Sequence, residues 1–168
     1  AASDFDGTAF VATGGNFPDA LAGSPLAAGH VWPIYLSAPT TGLRDSTKAR
    51  MVADGVTDAL ILGGIAAVPA AVETYLDGAL SGDVTRLSGD DRYLTAAAVA
   101  SHAVDMAGMR WDGVAVSTGQ NFPDALAGGV MQGFDGSVIV LTKTAELPEG
   151  TRQVLADNGY RIGEVRFL

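Results

Sequence analysis

The chain has 168 residues, with 10 Lys and Arg against 19 Asp and Glu, a formal net charge of −9 and no cysteine. That balance excludes the basic footprint needed for nucleic acid or an anionic membrane surface. The absence of cysteine excludes disulfides, zinc–thiolate sites and thiol catalysis. The length suits one domain or two small ones with a sizeable core. Hydrophobic residues make up 48% of the chain, and 22 glycines with many alanines predict close helix–sheet packing. No apolar run reaches membrane-spanning length. Ala1-Ala2-Ser3-Asp4 reads as a domain edge rather than a signal peptide. A secreted bacterial surface domain without disulfides fits, and so does a cytosolic one.

In chain order, Thr8–Thr13 reads as a strand ending in Gly14-Gly15. Pro18–Ala28 reads as a helix, with Pro18 in its first turn and Asp19 near the positive end of the dipole. Trp32–Leu36 is a second strand. Leu43–Asp54 is an amphipathic helix closed by Gly55. Ala59–Leu62 is a third strand, stopped by Gly63-Gly64, and Pro69–Leu80 a further helix. After the turn Ser81-Gly82-Asp83 comes Arg86-Leu87-Ser88-Gly89-Asp90-Asp91-Arg92-Tyr93. It leads into an Ala-rich helix, Leu94–Met106, with Ser88, Asp90 and Asp91 as candidate caps. The pattern then restarts: strand Val114–Thr118, helix Pro123–Gln132, strand Ser137–Leu141, helix Pro148–Asp157 and a strand from Glu164 to Leu168. Strands that are continuous apolar runs, alternating with helices, predict an α/β fold. Three layers are expected, with a mainly parallel sheet flanked by helices.

The restart is a true internal repeat. Asn16-Phe17-Pro18-Asp19-Ala20-Leu21-Ala22-Gly23 returns unchanged 105 residues later as Asn121-Phe122-Pro123-Asp124-Ala125-Leu126-Ala127-Gly128, each copy preceded by Thr-Gly and one further residue, Gly15 or Gln120. Each copy is a strand, a Gly-rich turn and a helix N-terminus. Free backbone N–H groups at such a turn can hold an anion or a sugar hydroxyl, and the same pattern also serves as a plain strand-to-helix joint. At this period the chain holds about 1.6 units. Residues 1–85 form a first unit without a preceding Arg-Leu-Ser-Gly run. Residues 86–168 form a second that stops before a Gly-Gly strand end and a final helix. The Arg86–Thr95 run is expected at the junction of the two, because sequential elements stay adjacent.

Three features together resemble the cell wall binding repeat 2 family of Gram-positive bacteria. They are the Arg86–Tyr93 run continuing into Leu94-Thr95-Ala96, the twice-written octet after Thr-Gly, and Leu60-Ile61-Leu62-Gly63-Gly64-Ile65-Ala66-Ala67-Val68. The resemblance covers nearly the whole chain. It implies a secreted, cell-surface module, usually in tandem copies and often three about a pseudo-threefold axis. Such modules anchor their parent protein non-covalently by binding an anionic, teichoic-acid-like wall polymer, while any enzymatic activity resides in other domains. The ligand candidates it implies are Arg86, Ser88, Asp90, Arg92 and Tyr93, with Asn16, Asp19, Asn121 and Asp124 from the repeated turns. Arg suits bidentate pairing with phosphate or carboxylate.

Each candidate also has a structural reading: Arg92 in an ion pair with a nearby Asp, Tyr93 in packing, and the Asn residues as caps. Two features run against the simple reading. The Arg-Leu-Ser-Gly run occurs once, and the net charge opposes an anionic ligand unless positive charge is focused locally or a divalent cation bridges. His30 and His102 share no metal-ligand spacing, and no metal or cofactor is expected. Neither a Walker-type lysine nor a Gly-x-Ser-x-Gly elbow is present, which argues against an α/β hydrolase. A spacer or oligomerisation module is the other alternative. Few charges and much apolar surface predict association with further repeats or as a homo-oligomer.

Overall fold

The computed structural model describes residues 5–121 and 123–168. The opening Ala1–Asp4 and Phe122 of the second octet lie outside the described residues. The described chain forms two all-parallel sheets flanked by helices. The first contains β1 (Thr8–Thr13), β2 (Ile34–Ser37), β3 (Asp58–Leu62) and β4 (Val84–Leu87), in the order β2-β1-β3-β4. The second contains β5 (Arg110–Thr118), β6 (Ser137–Thr142) and β7 (Val165–Phe167), in the order β6-β5-β7. The octets make the two sheets correspond. Val11 pairs with Ile61 and its counterpart Val116 with Phe167, so β5, β6 and β7 repeat β1, β2 and β3.

The helices are α1 (Pro18–Ala22), α2 (Ser24–His30), α3 (Asp45–Ala53), α4 (Ala70–Ala79), α5 (Arg92–Met106), α6 (Pro123–Asp135) and α7 (Glu149–Asp157), with a 3-10 turn at Gly159–Arg161. The single helix expected over Pro18–Ala28 is two helices here. Pro25 has no N–H to give to the carbonyl of Leu21, and Ser24 Oγ donates to that carbonyl instead at 2.6 Å. The second copy has Val130 at the position of Pro25, and its helix, α6, runs unbroken. The strand β4 was not expected. Residues 86 and 87 close it in the first sheet, so a division at 85/86 cuts through a strand.

One apolar cluster crosses both units. It runs from Phe10, Leu26 and Trp32 through Ala96, Val99 and Ala103 of α5 to Trp111, Val116 and Val140. A second cluster fills the other face of the first sheet under α3 and α4, including Val11, Met51, Ile61 and Leu76. The units also meet where α2 crosses α6 with their backbones in contact. A Cβ on Gly133 would stand 2.5 Å from the carbonyl oxygen of Pro25, and one on Gly129 would stand 1.8 Å from Ser24 Oγ. Only glycine permits this approach. Composition predicted close helix–sheet packing; the tightest contact of the glycines is helix to helix.

The helices α2 and α6 end at equivalent residues. In α6 the left-handed position after the helix is Gly136, with φ 67; in α2 it is Val31, with φ 59. A β-branched residue there is strained, and Val31 is 55% exposed, so little packing compensates. Val31→Gly is therefore expected to stabilise the fold by about 0.5–1 kcal/mol. Relief of the left-handed strain outweighs the backbone entropy glycine brings to the unfolded chain. An upward shift in the urea midpoint at unchanged slope confirms it; a downward shift contradicts it.

Candidate functional site

The carboxyl ends of β1, β3 and β4 open on one side of the first sheet, where ligands of open parallel sheets bind. A cleft of about 230 Å³ lies there. Its walls are the first octet turn (Asn16, Pro18, Asp19), the β3–α4 loop (Gly64, Ala66, Ala67) and the start of α5 (Asp90, Asp91, Arg92). The fold thus brings the repeated turn and the Arg86–Tyr93 run together.

Asp91 is the N-cap of α5, accepting from the backbone N–H of Tyr93 at 2.9 Å and of Leu94 at 2.8 Å. That contact fixes Arg92 in the first turn. Arg92 Nη1 donates to the carbonyl of Gly119 at the end of β5, at 2.6 Å. Arg92 therefore joins the second unit to a cleft built on the first. Asp19 is half-buried beside it, and burial raises its carboxyl above the usual range while the Arg92 charge opposes the rise.

The remaining candidates fall in different places. Arg86 is turned into the first unit: Nε donates to Glu73 at 2.9 Å and Nη1 to the Gly63 carbonyl at 2.8 Å, tying β4 to β3 and α4. Its Nη2 is buried without a partner among the described residues. Tyr93 is buried in the core. Ser88 is exposed and shares a shallow groove along α5 with Asp90, Leu94 and Ser101. Asn16 is exposed, and its Oδ1 accepts from the N–H of Phe17. Asn121 and Asp124 are exposed at the second turn, with no second Arg-Leu-Ser-Gly run beside them.

Lys143, which sequence reasoning did not single out, stands 5.9 Å from the Tyr93 ring centroid and is paired with Glu146. Its counterpart in the first unit is Ala38, so the repeat carried no signal for it. His30 stacks on Trp32 at 4.7 Å between centroids. His102 is half-buried, which pushes its imidazole down against the opposing charge of Asp105. Among the described residues, no cluster of three or more His, Asp or Glu side chains is arranged to hold a metal. No helix among them is long and apolar enough to cross a membrane.

These features define a tandem α/β module with its polar cleft at the junction of two repeats. The sequence profile of the cell wall binding domain 2 family (CWB2) matches residues 1–73 and 86–165, and the chain belongs to that family of binding modules. It is 27% identical over 147 residues to the N-acetylmuramoyl-L-alanine amidase LytC of Bacillus subtilis (strain 168), a match covering 88% of this chain and 28% of that protein. It is 29% identical over 150 residues to the amidase enhancer of the same organism, covering 89% of this chain and 19% of that one. The chain thus spans well under a third of either relative. Among solved structures, Cwp6 from Clostridium difficile superposes with a TM-score of 0.81 at 24% identity, covering 98% of this chain and 25% of that one. Cwp8 from the same organism also gives 0.81, at 23% identity, covering 98% and 27%. Both establish the parallel α/β architecture.

The raised carboxyl of Asp19 has a consequence for stability. The folded chain holds that proton more tightly than the unfolded chain, whose carboxyl titrates near 3.8. Asp19 therefore costs stability when ionised, and the cost disappears as pH falls through its folded value towards 3.8. Asp19→Asn is expected to melt higher than the wild type at pH 7, with the difference shrinking in acid. A variant that melts lower at pH 7 contradicts this account of Asp19.

Proposed function

We propose that the chain holds a secreted parent protein on the Gram-positive cell wall by binding an anionic, teichoic-acid-like wall polymer without a covalent bond. The observation that carries this reading, beside family membership, is the cleft in which the octet turn meets the start of α5 across the unit junction. A sugar polymer offers hydroxyls and anionic groups together. The carboxylates of Asp19 and Asp90 and the amide of Asn16 accept or donate to hydroxyls. Arg92 supplies the fixed charge for a phosphate or carboxylate. The ligand contacts proposed are thus Asn16, Asp19, Asp90 and Arg92, with Lys143 as a further cation. Asn121 and Asp124 would form an equivalent cleft where another repeat supplies an Arg-Leu-Ser-Gly run. The module itself is proposed to be non-catalytic, with any enzymatic activity in other parts of the parent protein.

Association with a further unit is part of the same proposal. Leu21 of α1 and Leu26 of α2 are buried against the second unit; their counterparts in α6, Leu126 and Met131, are 53% and 43% exposed. Val130 and Phe134, at the positions of Pro25 and Gly29, are 46% and 82% exposed. A face covered in one repeat and bare in the other suits docking of a third repeat or a second copy.

The test is sedimentation with purified cell walls, before and after chemical extraction of the anionic polymer. The wild-type chain is expected to pellet with intact walls and to stay in solution with extracted ones. Arg92→Ala, checked for an intact fold by circular dichroism, should pellet at least about tenfold more weakly, the scale of one lost charge-assisted hydrogen bond. Equal binding to extracted walls removes the polymer assignment. Binding to neither, with a self-associated mass by light scattering, favours the spacer reading. A monomer by the same measurement removes the association claim.

A further inference from the structure

A second recess lies on the same rim of the first sheet, beyond the β3–α4 loop that walls the cleft. Its volume is about 160 Å³, and it is enclosed by the β2–α3 loop (Thr40–Leu43), Lys48 of α3 and the first turns of α4 with Pro69, Val72 and Tyr75. Loop residues Ala38 and Gly42 exchange two backbone hydrogen bonds of 3.0 Å. That bridge holds Thr40 and Thr41 exposed at the loop tip, and neither hydroxyl has a partner among the described residues.

Lys48 lies over the Tyr75 ring, with its Nζ 4.7 Å from the centroid. Asp45 also pairs with Lys48 at 3.2 Å, but its side chain is 99% exposed, so solvent screens that bond. The recess thus combines an apolar floor, an aromatic ring, two open hydroxyls and one cation, Lys48, on a chain of net charge −9.

We propose that this recess is a second saccharide subsite, taking one sugar ring that carries a phosphate or carboxylate. Its size excludes a drug-sized ligand. The apolar face of a ring would rest on Tyr75 and Val72, its hydroxyls would meet Thr40 and Thr41, and its acidic group would pair with Lys48. Only the β3–α4 loop separates this recess from the cleft, since Gly64, Ala66 and Ala67 line one and Pro69 the other. The recess exists in the first unit alone among the described residues, because it needs α4, which has no described counterpart in the second. The ligand class rests on the wall-polymer reading; the location rests on the recess itself.

The test is titration of the whole chain with glucose 6-phosphate, galacturonate and neutral glucose, followed by amide chemical shifts. The acidic sugars are expected to move the amides of Thr40–Leu43 and the start of α4, with neutral glucose much weaker. Lys48→Gln should weaken this response about tenfold and Lys48→Arg should restore it. Equal response to neutral glucose, an unchanged response in Lys48→Gln, or shifts absent from Thr40–Leu43 would overturn the proposal. A chain that pellets with walls but shows no shifts in this loop overturns this inference alone. Shifts in the loop without wall pelleting keep the subsite and overturn the wider function.

Discussion

Everything at the functional edge of this molecule depends on how closely α2 and α6 approach. Gly129 and Gly133 on one helix, against Ser24, Pro25 and Gly29 on the other, let the two backbones touch. Side chains at Gly129 and Gly133 would wedge the units apart. With the helices in contact, one apolar cluster is continuous from Phe10 to Trp111, and α5 is packed from both units. The helix N-terminus that carries Arg92 is thereby fixed between Asp19 and the end of β5.

At least half of the ten basic residues are held in specific contacts of this kind or in ion pairs. Arg86 serves the joint between β4, β3 and α4, and Arg92 bridges the units. Arg50, Arg152 and Arg166 are in ion pairs with nearby acids. An acidic chain that binds an anion must therefore rely on a few locally focused cations rather than on its overall field. The two recesses on the rim of the first sheet differ in this respect. The cleft has Arg92 among three carboxylates, and the smaller recess has Lys48 against one exposed carboxylate.

Much of the architecture was legible. Continuous apolar strands such as Ala59–Leu62 announced a parallel sheet, and the repeated octet announced two equivalent strand–turn–helix units. The cleft was legible in part, because the octet and the Arg86–Tyr93 run each named residues that line it. Three things were not. The strand β4 is short and carries Thr85 and Arg86, so it lacks the apolar run that marked the other strands; its pairing with β3 makes it a strand. The partners of Arg86 are 13 and 23 positions away, and only the folded sheet brings them within reach. Tyr93 carried two readings, ligand contact and packing, and only the folded chain decides between them: α5 turns its ring into the core.

Because the cleft is built across their junction, the two repeats are expected to unfold as one cooperative body. Equilibrium urea unfolding followed by tryptophan fluorescence and far-ultraviolet circular dichroism tests it directly, since Trp32 and Trp111 belong to different units of one shared cluster. A single transition with coincident midpoints by both probes is the predicted result. Two separated transitions, with one unit persisting after the other has melted, would contradict it.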